Sequence, residues 1–176
     1  ILILTIVAEL AMPLLMYGLA PGFSETPDKF DLAVLLTRIT MPYLLCMSLV
    51  ALLSGVLNTF GRFLESAAVS IVLNLTMMAA TLTAIFLGLQ NDPQAGIIQA
   101  WGVFAAGILQ LALLLYGVHK SDIWMKLRWP RMTPGMRELI RLGIPGVIAG
   151  GVTQINIMIG TIIASMQNGA VSYLYY

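Results

Sequence analysis

Residues 95–118 read AGIIQAWGVFAAGILQLALLLYGV, an unbroken apolar stretch without a charged side chain. An α-helix needs about 20 mostly apolar residues to cross the hydrocarbon core of a bilayer, and this stretch is long enough. Four further stretches have the same character, and short polar segments separate them. They cover residues 1–20, 39–60, 67–89 and 142–166. The sequence therefore predicts an all-α protein, a polytopic bundle with five transmembrane helices.

The composition supports a membrane protein over a soluble one. Hydrophobic residues make up 59% of the chain and charged residues 10%, and the mean hydropathy is +0.92. A soluble domain carries about 25% charged residues. So few polar side chains could not cover five long apolar helices in water.

The residue inventory argues against an enzyme and against a bound metal. Cys46 is the single cysteine and lies inside a predicted span, which excludes a disulfide framework. His119 is the single histidine, and one histidine with one cysteine cannot build a thiolate or imidazole metal cluster. Because His119 lies at the edge of a loop, we find no candidate Ser-His-Asp set. No Gly-rich phosphate loop is present. We predict no enzymatic activity, no cofactor and no nucleic-acid partner. A membrane-embedded biosynthetic enzyme is the alternative that we rank last.

The charges of the polar segments predict the orientation in the membrane. Segments 61–66 and 119–141 hold seven of the nine Lys and Arg residues, whereas segments 21–31 and 90–94 hold only Lys29. Basic loops stay preferentially in the cytoplasm, so the first pair should be cytoplasmic and the second pair should lie outside. Residues 167–169 then reach the outer side. Because the chain starts and stops within apolar or aromatic sequence, we expect an internal fragment of a longer protein.

Segment 119–141 is predicted to be a basic, amphipathic cytoplasmic linker. Trp124 and Trp129 suit the lipid headgroup region. Thr133-Pro134 indicates a helix start, with threonine as the N-cap and proline at the first position. The following turns place Met136, Leu139, Ile140 and Gly143 on one side, and Arg137, Glu138 and Arg141 on the other. The basic charges either set the topology or meet anionic headgroups.

Polar side chains inside the spans are candidates for function, because they are costly in lipid. Glu9 is either an intramembrane acid or, if its helix starts earlier, a residue near the interface. Arg38, followed by Pro42, is placed at the outer end of the second span, where it either binds an anionic group or extends toward the headgroups. Asn58 and Asn74 are predicted to form hydrogen bonds between helices.

The fifth span is the least lipid-like of the five. Gly146, Gly150, Thr153, Asn156 and Gly160 share one helical face. Gln154, Thr161 and Ser165 form an adjacent polar strip, so this helix should line a cavity or a tight junction. Gly146 and Gly150 form a small-xxx-small pattern that permits close helix packing. Prolines can kink three of the spans, at Pro13, Pro42 and Pro145.

Several segments resemble the bacterial lipid II flippase family, called MurJ or MviN, and they occur in the same order over nearly the whole chain. They are APGF at 20–23, LTRI at 36–39, PYLL at 42–45, SLVALLSGVLNTFGRF at 48–63, RLGIPG at 141–146, GGVTQIN at 150–156 and GAVSYLYY at 169–176. The resemblance implies part of a fourteen-helix bundle in the MOP superfamily, which includes the MATE drug exporters. It places residues 1–118 as four helices of the N-terminal lobe, 119–141 as the linker, and 142–176 as the first helix of the C-terminal lobe and the start of the next.

The same resemblance implies transport rather than catalysis. Lipid II, the undecaprenyl-pyrophosphate-linked peptidoglycan precursor, would move from the cytoplasmic to the periplasmic leaflet of the bacterial inner membrane by alternating access. The alternative is another MOP-type transporter, a polysaccharide flippase or a cation-coupled drug exporter. The family's best-known substrate-facing arginines fall outside this chain. The expected substrate-path residues are therefore Arg38, Gln154, Asn156 and Glu9, and the expected partners are lipid II and membrane lipids.

The charge-derived topology can be tested by thiol labelling. Cysteines introduced as Arg62→Cys and Asp92→Cys should differ in intact cells, because a membrane-impermeant reagent reaches only the outer segment that contains Asp92. Labelling of the Arg62→Cys variant without labelling of the Asp92→Cys variant would reverse the orientation.

Overall fold

The structure is a computed structural model that describes residues 1–25, 27–89, 91–121 and 132–166. Its regular elements, within those residues, are all helical. They are α1 (Leu2–Leu10), α2 (Met12–Leu19), a 3₁₀ helix (Pro21–Glu25), α3 (Pro27–Thr40), α4 (Pro42–Thr59), α5 (Phe63–Phe86), α6 (Gln94–Lys120) and α7 (Pro134–Ser165).

Four of the five predicted spans correspond to long apolar helices. Four stretches are long and apolar enough to cross a membrane, namely Pro27–Thr59, Phe63–Phe86, Gln94–Lys120 and Pro134–Ser165. The bent pair α1 and α2 supplies a fifth if it is counted as one span. The first span is thus broken at Ala11 instead of being one straight helix. Pro13 lies in the first turn of α2, where its missing N–H costs little.

The second span begins earlier than the sequence predicted. Residues 27–31, which we expected in a loop, form the first turns of α3, and the apolar stretch Pro27–Thr59 has 33 residues. Pro27 at the first position and Asp28 in the first turn both favour a helix start. A short break at Met41 precedes Pro42, which cannot donate to the carbonyl of Arg38. Arg38 therefore lies about three turns after the start of this helical stretch. Its position at the outer boundary of the membrane stays a prediction.

Helices also replace parts of two other predicted loops. Residues 63–66 form the first turn of α5, and residues 119–120 form the last turn of α6. Glycines end two helices: Gly61 after α4 has φ 75° and Gly88 after α5 has φ 72°. This left-handed conformation is easily accessible to glycine, and it lets the following N–H groups bond back to the last turn. Arg62 N donates to Leu57 O at 2.9 Å, and Leu89 N donates to Ala84 O at 3.0 Å.

The predicted start of the last helix is confirmed. Thr133 has extended backbone geometry, and its hydroxyl accepts a hydrogen bond from Met136 N at 3.3 Å. Pro134 occupies the first helical position, as expected. Residues 134–141, which we assigned to the linker, are therefore helical. Five linker residues with predicted roles lie outside the described residues: Trp124, Lys126, Arg128, Trp129 and Arg131.

The chain forms two compact units. The first comprises Ile1–Pro13 and Phe30–Trp124, and the second comprises Leu14–Lys29 and Met125–Tyr176. In the first unit α6 packs against α4 and α5, and α1 packs against α4. In the second unit the 3₁₀ helix packs against α7. The predicted division into lobes is a different one and stays a prediction.

One face of α6 organises the first unit. It carries buried residues at intervals of three and four, so they lie on one side of the helix: Gly102, Ala106, Gln110, Leu114 and Gly117. Leu114 and Val118 join Val50, Leu53 and Leu57 of α4 in the apolar core. Val69 of α5 packs against this cluster.

Glycines on α6 let the neighbouring helices approach closely. A Cβ atom placed on Gly102 would lie 2.7 Å from the Ala80 Cβ of α5. A Cβ on Gly107 would lie 2.7 Å from the Tyr43 ring, and one on Gly117 would lie 3.0 Å from Glu65 Cγ. Close backbone approach of this kind drives helix association in lipid, where no hydrophobic effect operates between helices. From the sequence, we predicted such packing only for Gly146 and Gly150.

The packing of α6 on α5 gives a test with a matched control. Gly102→Ala should destabilise the protein by about 1–3 kcal/mol, because the added methyl meets a methyl fixed to the backbone of α5. Gly55→Ala in α4 adds the same methyl where nothing lies within 4 Å. It should be neutral or gain about 1 kcal/mol in helix propensity.

The measurement is the thermal unfolding of both purified variants in detergent. A lower midpoint for Gly102→Ala and an unchanged or higher one for Gly55→Ala are expected. Equal midpoints would contradict the close α5–α6 contact.

Candidate functional site

Two of the expected substrate-path residues lie in the first unit. Glu9 is half-buried near the end of α1, one residue after the buried Ala8. Arg38 is exposed in the last turn of α3. The break before Pro42 leaves the Arg38 carbonyl without its usual helical donor. An exposed guanidinium beside an open backbone acceptor makes this turn of the span polar.

Gln110 is a buried polar group that the sequence analysis missed. It is 1% exposed, and its Nε2 donates to the backbone carbonyl of Val69 in α5 at 2.9 Å. Its side chain also interacts with the Tyr43 hydroxyl of α4. Among the described residues, no donor is aligned with its buried Oε1. One amide thus connects α4, α5 and α6 at the centre of the first unit.

The sequence contains a feature from which the burial of Gln110 could have been predicted. It is the polar member of the small-residue face of α6, four residues after Ala106 and eight after Gly102. A polar side chain on the face that packs closest must find its partner in a neighbouring helix.

The α5–α6 interface carries one further polar contact. Gln99 Nε2 of α6 donates to Thr81 Oγ1 of α5 at 2.7 Å. Together with Gln110, this pair fixes the register of the two helices. At the start of α5, Arg62 Nε lies 3.1 Å from Glu65 Oε1, an ion pair within one helical turn.

Asn58 and Asn74 do not take part in this network. Both side chains are exposed on the surface of the first unit. Their proposed role in packing between helices requires partners beyond the described chain, and it stays a prediction.

In the second unit, α7 holds the other two expected path residues. Gln154 and Asn156 are both exposed. They are two residues apart in a continuous helix, so they project about 200° apart, on nearly opposite sides. Helix α7 therefore does not place Gln154 and Asn156 on the same side.

The hydroxyl groups in the predicted polar strip of α7 bond to their own helix. Thr161 Oγ1 donates to Ile157 O at 2.9 Å, and Ser165 Oγ donates to Ile162 O at 2.7 Å. Such bonds satisfy the hydroxyl internally and reduce its polarity toward a ligand. The strip is therefore less polar than its sequence indicates, and Gln154 is its main polar group.

The small face of α7 is open. A Cβ atom placed on Gly146 or Gly150 would meet nothing within 4 Å among the described residues. Toward the helix start, Leu139, Ile140, Gly143, Ile144, Val147 and Ile148 line an apolar surface. Most of α7 thus lies uncovered within the described chain.

The comparisons with known proteins bear on the whole chain. The family model described as "Lipid II flippase MurJ" matches residues 1–176. The chain belongs to the MurJ family. The match is continuous, so it includes the packed first unit and α7 alike.

Relatives at substantial identity carry the same family name. A "Probable lipid II flippase MurJ" of Rhizobium tropici is 46% identical over 177 residues, which cover 100% of this chain and 33% of the relative. A protein of the same description from Rhizobium meliloti (strain 1021) is 42% identical, with the same coverage. The "Lipid II flippase MurJ" of Burkholderia cenocepacia is 32% identical over 99% of this chain and 34% of the relative. The chain therefore spans about a third of the length of these curated relatives.

Membership of the MurJ family, together with the apolar helices, identifies a multi-pass membrane protein. It also agrees with the resemblance read from the sequence motifs. The residue roles predicted for Glu9, Arg38, Gln154 and Asn156 are not decided by the family match and stay predictions.

The open small face of α7 yields a test in the complete gene product. Gly150→Leu should lower the folded yield, because a side chain there would separate α7 from a helix packed against Gly146 and Gly150. Ile148→Leu is the control, since it exchanges one apolar side chain for another of equal size. Fluorescence-detected size exclusion of detergent extracts measures the folded fraction. Equal yields near that of the wild type would refute the packing role.

Proposed function

We propose that this chain is a transmembrane segment of a lipid II flippase of the bacterial inner membrane. The observation that carries the proposal is the match of the MurJ family model to residues 1–176. The cargo would be the undecaprenyl-pyrophosphate-linked precursor, taken from the cytoplasmic leaflet and delivered to the periplasmic leaflet.

The physical task defines what such a protein must provide. The headgroup carries a pyrophosphate and a disaccharide, and neither can enter hydrocarbon without a large loss of hydration. The polyprenyl tail is apolar and can stay in lipid throughout. A polar cavity that faces the two sides in turn would shield the headgroup and leave the tail outside.

The first unit has the properties of a rigid wall for such a cavity. Its helices interlock through glycine contacts and through the buried Gln110 amide. Arg38 contributes a cation within the span Pro27–Thr59. A guanidinium can form paired hydrogen bonds with phosphate oxygens, which suits an anionic cargo better than a cationic drug. This favours lipid II transport over the alternative of a cation-coupled drug exporter.

Complementation tests the activity directly. The complete gene product should restore growth of a bacterial strain depleted of its own lipid II flippase. The purified protein in vesicles should move labelled lipid II between the leaflets. Failure in both assays, with normal membrane levels, would contradict the proposed function.

Arg38 is the residue to test first for cargo contact. Arg38→Gln and Arg38→Ala should lose complementation at normal membrane levels, because the positive charge in the path is gone. Arg38→Lys keeps the charge but not the bidentate fork. A defect in the lysine variant as well would indicate paired contacts with the pyrophosphate. Full complementation by Arg38→Ala would leave Arg38 as a side chain that only extends to the headgroups.

A further inference from the structure

Helix α6 contacts the chain on both sides of the break between α3 and α4. Before the break, a Cβ atom placed on Gly96 would lie 3.4 Å from Leu36 Cδ1. After the break, a Cβ atom placed on Gly107 would lie 2.7 Å from Cδ2 and 3.3 Å from Cε2 of the Tyr43 ring. The break therefore lies between two points at which α6 supports the chain.

Tyr43, the second residue of α4, is held by α6 at two positions about one turn apart. Its ring lies against Gly107, where any side chain would collide with it. Its hydroxyl interacts with the side-chain amide of Gln110. Gln110 is itself fixed, because it is 1% exposed and its Nε2 donates to the Val69 carbonyl of α5 at 2.9 Å. Residues of two other helices thus set the direction of the Tyr43 side chain.

The first turn of α4 connects Tyr43 to Arg38. Tyr43 follows Pro42 directly, and Pro42 cannot donate to the Arg38 carbonyl one turn earlier. Met41 N still donates to Thr37 O at 2.8 Å, but the next hydrogen bond of the helix is absent. A tilt of α3 relative to α4 at this point would displace the Arg38 guanidinium, which extends from the last turn of α3.

The position of Arg38 matters because its recognition of phosphate depends on orientation. A guanidinium forms paired hydrogen bonds only when its plane is aligned with the oxygen atoms. Groups that bind a ligand in this way are held in place by neighbours that packing and hydrogen bonds have locked. Arg38 is exposed, whereas Gly107 and Gln110 are buried in the first unit.

We propose that Gln110 is a positioning residue for transport. Together with Gly107 it holds Tyr43, and through the first turn of α4 it fixes the position of Arg38 relative to α5 and α6. Because Gln110 is 1% exposed, it acts through Arg38 and does not touch the cargo. This inference rests on the proposed flippase function and deepens it, since it names the residue that orients the cation.

A double-mutant cycle tests whether Gln110 acts through Arg38. Gln110→Leu removes the amide and keeps a side chain of similar size. In the protein that retains Arg38, we expect this change to weaken the binding of lipid II by about tenfold, since both residues belong to one coupled set. In an Arg38→Ala protein, the same change should weaken binding less than about twofold, because no guanidinium is left to orient.

The measurement is the dissociation constant of lipid II for the complete gene product in nanodiscs. A loss of equal size in both backgrounds would show that Gln110 acts independently of Arg38, and it would overturn the proposal. Binding of wild-type strength by the Arg38→Ala protein would overturn it as well, because there would be no contact to orient.

Gln99→Leu is the matched control for Gln110→Leu. It makes the same substitution on α6 and removes a hydrogen bond to Thr81 of α5, not a contact with α4. It should leave the binding of lipid II unchanged. Tyr43→Phe is the milder variant, since it keeps the ring against Gly107 and removes only the hydroxyl. It should weaken binding in the same direction as Gln110→Leu.

A second test measures the break itself and needs no cargo. Leu35→Cys in α3 and Leu52→Cys in α4, at positions that are 44% and 63% exposed, carry nitroxide labels. The two positions are about 25 Å apart along the helical stretch, a separation that pulsed electron paramagnetic resonance measures. The background is Cys46→Ala, which keeps the Cβ atom that faces Gly107.

Gln110→Leu and Tyr43→Phe should each broaden or shift the distribution of distances between the labels, because α6 no longer holds the first turn of α4. Gln99→Leu should not change it. An unchanged distribution in Tyr43→Phe and in folded Gln110→Leu would refute the positioning role, whether or not the protein moves lipid II. If the Cys46→Ala protein neither binds nor moves lipid II, the proposed function fails, and the distances alone decide whether Gln110 fixes the break.

Discussion

The close packing of α6 against α4 and α5 is the constraint on which the first unit depends. In lipid, apolar side chains gain nothing by leaving the solvent, so helices associate through close contact and hydrogen bonds. Gly102, Gly107 and Gly117 have no side chains, so the neighbouring helices can approach α6 closely at these positions. Gln110 then reaches the carbonyl of Val69 and fixes the register. The apolar core around Leu57 and Leu114 fills the space that remains.

The second unit has a different character. Its long helix α7 is joined to the 3₁₀ helix over one turn, and its glycine face is open within the described chain. Relatives in the MurJ family are about three times as long as this chain.

Many hydroxyl side chains in these spans form hydrogen bonds within their own helix. Hydroxyl groups such as those of Thr37, Thr76 and Thr161 donate to carbonyls one turn earlier. Such internal bonds make serine and threonine tolerable in lipid. The groups that cannot be satisfied in this way are the informative ones. Arg38 and Gln154 remain exposed, whereas Gln110 is paired inside the bundle.

The sequence by itself determined the class of protein, the presence of several apolar spans and the start of α7 at Thr133-Pro134. Hydrophobic length and N-cap chemistry are local properties, so they can be read from neighbouring residues. The family resemblance was visible in short motifs for the same reason. For the candidate site residues, the sequence shows that the side chains are polar. It does not show whether each side chain faces another helix, a cavity or lipid.

Only the tertiary structure decided how the helices meet. The structure extends the helix of the second span back to Pro27. The burial of Gln110 and the junction of Gly22 with Ser165 each join residues far apart in sequence. The pairing of such distant positions is set by the three-dimensional packing of the helices. A glycine in the sequence therefore shows that close approach is permitted, and the fold determines which backbone approaches it.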